Sequence, residues 1–319
     1  MDYEGQICRP PMERGSYKLP VAVGCSYNQC KFCGLFKHLT YREISMETVE
    51  KELLRVQGIG GYPMRIFLGD GNPFGLPAER LFAILDLIHK YFPRCQHISM
   101  DATITNLREK TDREMRELYE HGVRELYLGI ECGLDDVLSF MRKDHGIEEA
   151  YCQLSRLERS GIAYSAHLML GLAGKGRWEE NAEATAHFIN RTRPKKIINT
   201  SIFLSERTPL FREIEKGNFH PADELENLRE EYRLLELLDV EIESYDGFHD
   251  NLEVRTRGQL PRDKEKMLHH LKEAIDREEL RTAEKESNKN GERIGRKERC
   301  RAEEGKMEED RTEELRKIS

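Results

Sequence analysis

Six short apolar runs punctuate the chain: LPVAV (Leu19 to Val23), RIFLG (Arg65 to Gly69), HISMD (His97 to Asp101), ELYLGIE (Glu125 to Glu131), YSAHLMLG (Tyr164 to Gly171) and IINTSIFL (Ile197 to Leu204). Runs that are apolar throughout, rather than alternating, predict strands covered on both faces. Between them the apolar positions change to helical period. Val49, Leu53 and Val56 share a face, as do Leu81, Leu85 and Ile88, and as do Ile147, Ala150, Tyr151, Leu154 and Leu157. Thr111 and Glu114 have the spacing of a capping box, and Gly122 stands where that helix should stop. Six strands, each followed by a helix, imply an α/β fold with a parallel sheet, closed or partly closed as a (βα)6 barrel. Ligands of such barrels sit at the C-terminal ends of the strands.

The same pattern divides the chain. Residues 1–15 read as an N-terminal lead, 16–240 as the core barrel, 241–280 as a short C-terminal extension and 281–319 as a charged helical or disordered tail. Pro221 to Asp239 predicts an amphipathic helix with Leu225, Leu228, Tyr232, Leu235 and Leu238 on one side, and Tyr245 to Ile275 a strand and a helix begun by Pro261. From Arg281 onward more than half of the residues are charged, with both signs interleaved, which leaves little apolar surface to pack. His249, His269 and His270 are expected at the surface.

Composition narrows the function classes. A chain of 319 residues, 38% hydrophobic, can bury a sizeable core. No N-terminal stretch resembles a signal peptide and no apolar run approaches the roughly 18 residues of a membrane span, so the expected location is cytoplasmic, with no membrane partner. A net charge of -8 argues against a strongly nucleic-acid-binding surface and leaves a local basic patch open.

Cysteine usage changes the picture most. Of eight cysteines, Cys8, Cys95, Cys132, Cys152 and Cys300 are scattered, and Cys132 reads as a small packing residue. Cys25, Cys30 and Cys33 fall within nine residues of the segment GCSYNQCKFCGLF, directly after the first predicted strand. In a reducing compartment such a cluster is a metal or redox site rather than part of a disulfide framework. Three readings stay open on spacing alone. His38 would complete a Cys3His zinc site. The C-x4-C-x2-C spacing also suits a [2Fe-2S] site, although its fourth cysteine would have to be Cys95, on another βα unit. The third is a site whose fourth ligand is not a side chain.

From Ser16 to Ser205 the chain resembles the radical S-adenosylmethionine (SAM) superfamily, whose core is a partial TIM-type barrel. There, three cysteines on the loop after the first strand bind three irons of a [4Fe-4S] cluster, and SAM chelates the fourth. The commonest spacing in that family, C-x3-C-x2-C, is one residue shorter, and some members carry a loop like the present one. Phe32 matches an aromatic position near the adenine. FLGDGNP (Phe67 to Pro73) resembles the segment that receives the SAM amino group on backbone carbonyls, with Gly69 and Asp70 at the contact positions and Asp70 where glycine is usual. YLGIECGLDDVLSFMRKDH (Tyr127 to His145) resembles the stretch in which Glu131 would face the ribose or charged end of SAM, and Arg142 or Lys143 its carboxylate; Lys143 also reads as a solvated helix-end cation. HLMLGLAGKG (His167 to Gly176) resembles the segment whose backbone approaches adenine, here Leu170 to Gly174. SERTPLFREIEKGNF (Ser205 to Phe219) resembles the elongator-like and coproporphyrinogen-oxidase-like branches.

The resemblance implies reductive cleavage of SAM to methionine and a 5′-deoxyadenosyl radical that takes hydrogen from a substrate, with an electron donor such as flavodoxin or ferredoxin as partner. His167, Tyr127 and Tyr164 are the candidates for a proton or hydrogen donor. Substrate and subfamily stay unassigned. The alternatives are a tRNA- or cofactor-modifying enzyme of the same superfamily, and an iron-sulfur or zinc binding module without SAM chemistry.

Overall fold

The structure is a computed structural model that describes residues 9–249 and 254–284. It divides into two units, Met1–Leu271 and Lys272–Ser319. In the first unit, with strands numbered in chain order, Tyr17–Pro20 (β1), Arg65–Gly69 (β4), His97–Ala102 (β5), Val123–Glu131 (β6), Ala163–Leu170 (β7), Lys196–Ser201 (β8), Ile242–Phe248 (β9) and Arg255–Leu260 (β10) form one sheet in that order. Every neighbouring pair is parallel except β9 and β10. The expected α/β sheet is present, and the extension adds two strands to it. Ala22–Val23 (β2) and Arg42–Glu43 (β3) make a separate antiparallel ribbon. LPVAV therefore breaks in the middle. Pro20 has no N–H to continue the ladder, and beyond it the Val21 N–H donates to the Gly69 carbonyl while Ala22 pairs with Glu43. IINTSIFL ends early at Ser201, leaving Phe203 and Leu204 exposed.

Helices Met46–Gly58 (α1), Ala78–Tyr91 (α2), Ile104–Arg108 (α3), Asp112–Glu120 (α4), Asp135–Phe140 (α5), Ile147–Ser160 (α6), Trp178–Thr192 (α7), Pro209–Glu215 (α8) and Glu224–Leu237 (α9) connect the strands. The periodic faces are buried as the pattern requires, Val49, Leu53 and Val56 in α1 and Leu81, Leu85 and Ile88 in α2 among them. In α6 Tyr151 is half-buried, stacked at 5.0 Å on Phe188. The Thr111/Glu114 capping box opens α4, and Gly122 follows its end at φ +91°. The helix expected from Pro221 starts later, where Asp223 caps α9. A turn at 261–263 follows β10, so the helix expected to begin at Pro261 starts at 264, and it continues through 281–284. The rest of the charged tail lies outside the described residues, as do Cys8 and Cys300.

Phe67, Tyr127 and Ile198, from β4, β6 and β8, share one apolar cluster with Met12 and Phe248. Side chains from such distant strands meet only if the sheet is curled, so its concave side has a floor. The floor is also ionic. Glu13, fully buried, accepts from the Tyr127 hydroxyl at 2.8 Å and from Ser16. Lys196 Nζ lies 2.6 Å from Glu125, which also accepts from Ser165 at 2.6 Å. Glu13, Glu125 and His97 bring ligand atoms within 4.8 Å of one another, and Lys196 and Arg65 supply the positive charge there. The N-terminal lead is thus built into the barrel floor from at least Met12. His249, expected at the surface, is buried because its Nε2 sits 2.8 Å from the carboxylate of Glu231 on α9. No described helix is long and apolar enough to cross a membrane.

Candidate metal and cofactor site

The three thiols stand on the segment between β2 and β3, at the C-terminal edge of the sheet, and this segment is tied down along its length. The Lys31 N–H donates to the Met141 carbonyl and the Leu210 N–H to the Lys31 carbonyl, each at 2.9 Å. The Tyr27 hydroxyl reaches the Arg142 carbonyl at 2.7 Å. Asn28, at φ +44°, donates its side-chain amide to the Phe36 carbonyl at 2.9 Å and its backbone N–H to Cys25 Sγ at 3.5 Å. Cys25, Cys30 and Cys33 are partly buried and form no disulfide. Burial pushes Cys30 up to about 11, against the pull of Lys143, and also raises Cys33. Both are therefore protonated thiols at neutral pH, and a metal must displace those protons to bind.

Ligand spread separates zinc from a cluster. Zinc at about 2.3 Å from each tetrahedral sulfur would gather the sulfurs to about 3.8 Å. Among the described residues only Glu13, His97 and Glu125 come within 4.8 Å as a set, so the three sulfurs are spread wider, and His38 is exposed. A cluster fits that spread because each thiolate binds a different iron.

Beside the thiols lies a buried ionic triad. Lys143 Nζ is 3.3 Å from Glu131 and 3.2 Å from Asp144, with all three side chains less than a tenth exposed. Lys143 is therefore not a solvated helix-end cation. Burial alone would lower its pKa, but the carboxylates of Asp144 and Glu131 hold it well above the usual lysine range. Asp144 is anchored by the Thr105 N–H at 2.9 Å and by His145 at 3.1 Å; despite burial, Lys143 and His145 keep its pKa low. Glu131 has φ +69°, a conformation that non-glycine residues adopt uncommonly. Gly129 makes room for the pair: a Cβ there would lie 2.4 Å from Glu131 Oε1 and 2.9 Å from Lys143 Nζ.

At the end of β4 the carbonyl of Gly69 accepts the Val21 N–H at 2.5 Å, and Asp70 is ion-paired with Lys18. Asp70 thus turns its side chain into the concave side of the sheet, with both partners buried. Gly71, at φ +70°, passes so close to the cysteine segment that a Cβ would sit 1.8 Å from the Gly24 carbonyl oxygen. Asn72 joins the parts: its Oδ1 accepts the Ser26 N–H at 2.9 Å and its Nδ2 donates to Asn106 at 3.0 Å. Phe32 packs in one apolar cluster with Leu172, Cys132 and Met141. Leu170 is buried, and Gly171 turns the chain at φ +73°.

The three donor candidates part company. Tyr127 belongs to the floor, its hydroxyl on Glu13. Tyr164 faces α7, donating to Thr192 at 2.6 Å, and so lies away from the concave side. His167 lies on the concave side, 6.0 Å from the Tyr127 ring and without a hydrogen-bond partner among the described residues. Burial, helped by Lys143, lowers it to about 4, so it is neutral at physiological pH. Asp101 of β5 is pushed up to about 8 by burial, with Asp70 adding to the rise and Lys18 opposing it. Sequence reasoning missed Lys18, Asn72, Asp101 and Asp144. Only Lys18, a lone cation beside the apolar run LPVAV, left a signal.

The Radical SAM superfamily model matches residues 19–189, more than half of the chain. Solved structures share the fold. Methylornithine synthase (PylB) superposes with a TM-score of 0.51 at 15% identity, over 70% of this chain and 61% of that one. Coproporphyrinogen III oxidase (HemN) from Escherichia coli gives 0.54 at 15% identity, over 69% and 50%. The radical SAM methyltransferase TsrM from Kitasatospora setae gives 0.53 at 16%, over 63% and 39%. This chain thus spans less than two thirds of each. A search of the curated proteins finds no match. With the family model covering both the cysteine segment and the strand ends that face it, the chain belongs to the radical SAM superfamily.

Proposed function

We propose that Cys25, Cys30 and Cys33 hold a [4Fe-4S] cluster whose remaining iron is left to SAM, and that the substrate is bound on the concave side of the sheet. Family membership makes the chain a radical SAM iron-sulfur enzyme, with those two groups as its cofactors. The observation that carries the residue assignment is the set of three partly buried thiols beside the Lys143, Glu131 and Asp144 triad at the strand ends. When bound, the pair of cofactors supplies reductive cleavage of SAM, using one electron from a protein donor such as flavodoxin or ferredoxin, and so a radical able to take hydrogen from a substrate.

This chain's residues do the placing. Lys143 offers a fixed cation to a carboxylate, held in position by Asp144. Glu131 offers an acceptor to a hydroxyl or ammonium group. Gly69, Asp70 and Gly71 bring backbone close to the thiol segment, and Phe32, Leu170 and Gly171 form its apolar side. The floor of Phe67, Tyr127, Ile198 and Glu13 closes the far end against water. His167, neutral and without a hydrogen-bond partner among the described residues, is the side chain we assign to moving a proton at the substrate.

Anaerobic reconstitution should load about four irons per chain, and SAM should change the EPR signal of the reduced protein. Stoichiometric zinc with no iron uptake would sink the assignment.

A further inference from the structure

The chain from Gly171 to Gly176 leaves β7 with three glycines at positive φ, Gly171, Gly174 and Gly176, and its main side-chain anchor is Leu172, buried in the cluster with Phe32. Its backbone is held from outside as well. The Gly171 N–H donates to Glu230 Oε2 at 3.1 Å, and Asn181 Nδ2 donates to Glu230 Oε1 at 2.7 Å. The Gly176 N–H donates to Glu226 Oε1 at 2.8 Å, and the Lys175 N–H to the His220 carbonyl at 2.8 Å. The fit is close: a Cβ on Gly171 would lie 2.5 Å from Asn227 Oδ1, and one on Gly174 would lie 2.9 Å from the His220 carbonyl oxygen. Glu226, Asn227 and Glu230 follow at helical spacing and so form one face of α9. That helix lies wholly beyond the residues the family model matches.

We propose that α9 is part of the cofactor site, with Glu230, seconded by Glu226, acting as a positioning residue that holds the Gly171 to Gly176 backbone in the shape that receives SAM. The inference rests on the reading of Gly171 as part of the cofactor wall. A buried carboxyl is costly unless its hydrogen bonds are made, and Glu230 uses one oxygen on the Gly171 N–H and the other on Asn181. Burial raises Glu230 to about 8, and the hydrogen bonds from Gly171 and Asn181 oppose that rise.

The test uses the full chain, reconstituted anaerobically, as wild type, Glu230→Ala and Glu230→Gln. It reads iron content, SAM affinity, and amide hydrogen exchange of the 170–177 backbone in the SAM-free protein. Glu230→Ala should keep its iron, exchange at 171–176 at least tenfold faster, and bind SAM at least tenfold more weakly. Glu230→Gln, which keeps an acceptor for Gly171, should stay within about threefold of wild type in both. Unchanged exchange and affinity in Glu230→Ala would overturn the inference, as would faster exchange spread evenly over the barrel. If Glu230→Ala does not fold, Glu226→Ala must by itself loosen 174–177 and weaken SAM binding; unaltered binding there overturns the proposal. An iron-loaded wild type that binds no SAM would overturn the cofactor reading itself, a result distinct from a defect confined to the variants.

Discussion

Lys143 is the side chain whose environment departs furthest from what its position in the chain suggests. It is a buried cation between two carboxylates, close enough to pull down the pKa of the Cys30 thiol. Removing one member of a buried ionic set leaves the others uncompensated and costs about 3 to 5 kcal/mol. Lys143→Met should therefore lower stability by about that amount, read from the urea midpoint at constant slope. Glu131 and the thiols separate placing SAM from holding iron. A hydrogen bond to a charged group contributes about 1.5 to 3 kcal/mol, so Glu131→Gln should keep its iron and weaken SAM affinity about tenfold or more. Cys30→Ala should lose both iron and 5′-deoxyadenosine formation. Equal affinity in wild type and Glu131→Gln would reduce Glu131 to a strand-end residue that merely pairs with Lys143.

Between elements, backbone contact decides as much as side chains do. Gly71 lies against Gly24, and any Cβ there must push the cysteine segment away. Gly71→Ala should lower iron uptake per chain several-fold. Gly60→Ala, at φ +76° with open space around it, should cost only about 1 kcal/mol and leave uptake unchanged. The junction of α9 with the Gly171 turn has its own pH signature. Burial lifts Glu230 to about 8, and nearby Glu226 adds to the rise, while Gly171 and Asn181 oppose it. A carboxyl whose pKa is higher folded than unfolded binds its proton more tightly in the folded state. Its contribution is then complete below the unfolded value near 4.5 and is lost as pH rises through about 8. The melting temperature should fall between about pH 4.5 and 8, and fall less in Glu230→Gln. An identical pH dependence in the two proteins would show that Glu230 does not titrate in this window.

For the whole chain, the first unit carries the sheet, the thiol segment and the triad, and ends at Leu271. The charged segment beyond has little apolar surface to contribute. Truncation after Leu280 should preserve iron loading and SAM cleavage within about twofold, checked on soluble protein at matched iron content. Loss of both would give the tail a part in the core. Removal of residues 1–15 should behave in the opposite way. It deletes Glu13 and leaves the buried Tyr127 hydroxyl without its acceptor.

What the sequence by itself determined was local. The cysteine spacing, the six apolar runs, the helix faces and the capping box at Thr111 all depend on residues a few positions apart, and periodicity or spacing reads such relations directly. The position of the thiols at a strand end followed from the order of strand and loop. Tertiary structure alone decided which charges are paired. Glu230 meets Gly171 across 59 positions, and Glu13 meets Tyr127 across 114. No local pattern marks one glutamate as buried and another as solvated. Tyr164 and His167 sit three residues apart in one strand, so the pleat puts them on opposite faces, but only the packed sheet decides that α7 covers the face of Tyr164. Lys143 looked like a surface cation because its burial comes from Glu131 on the strand before it and from an Asp144 fixed by Thr105, a contact set that forms only when α3 and the end of β6 are packed together.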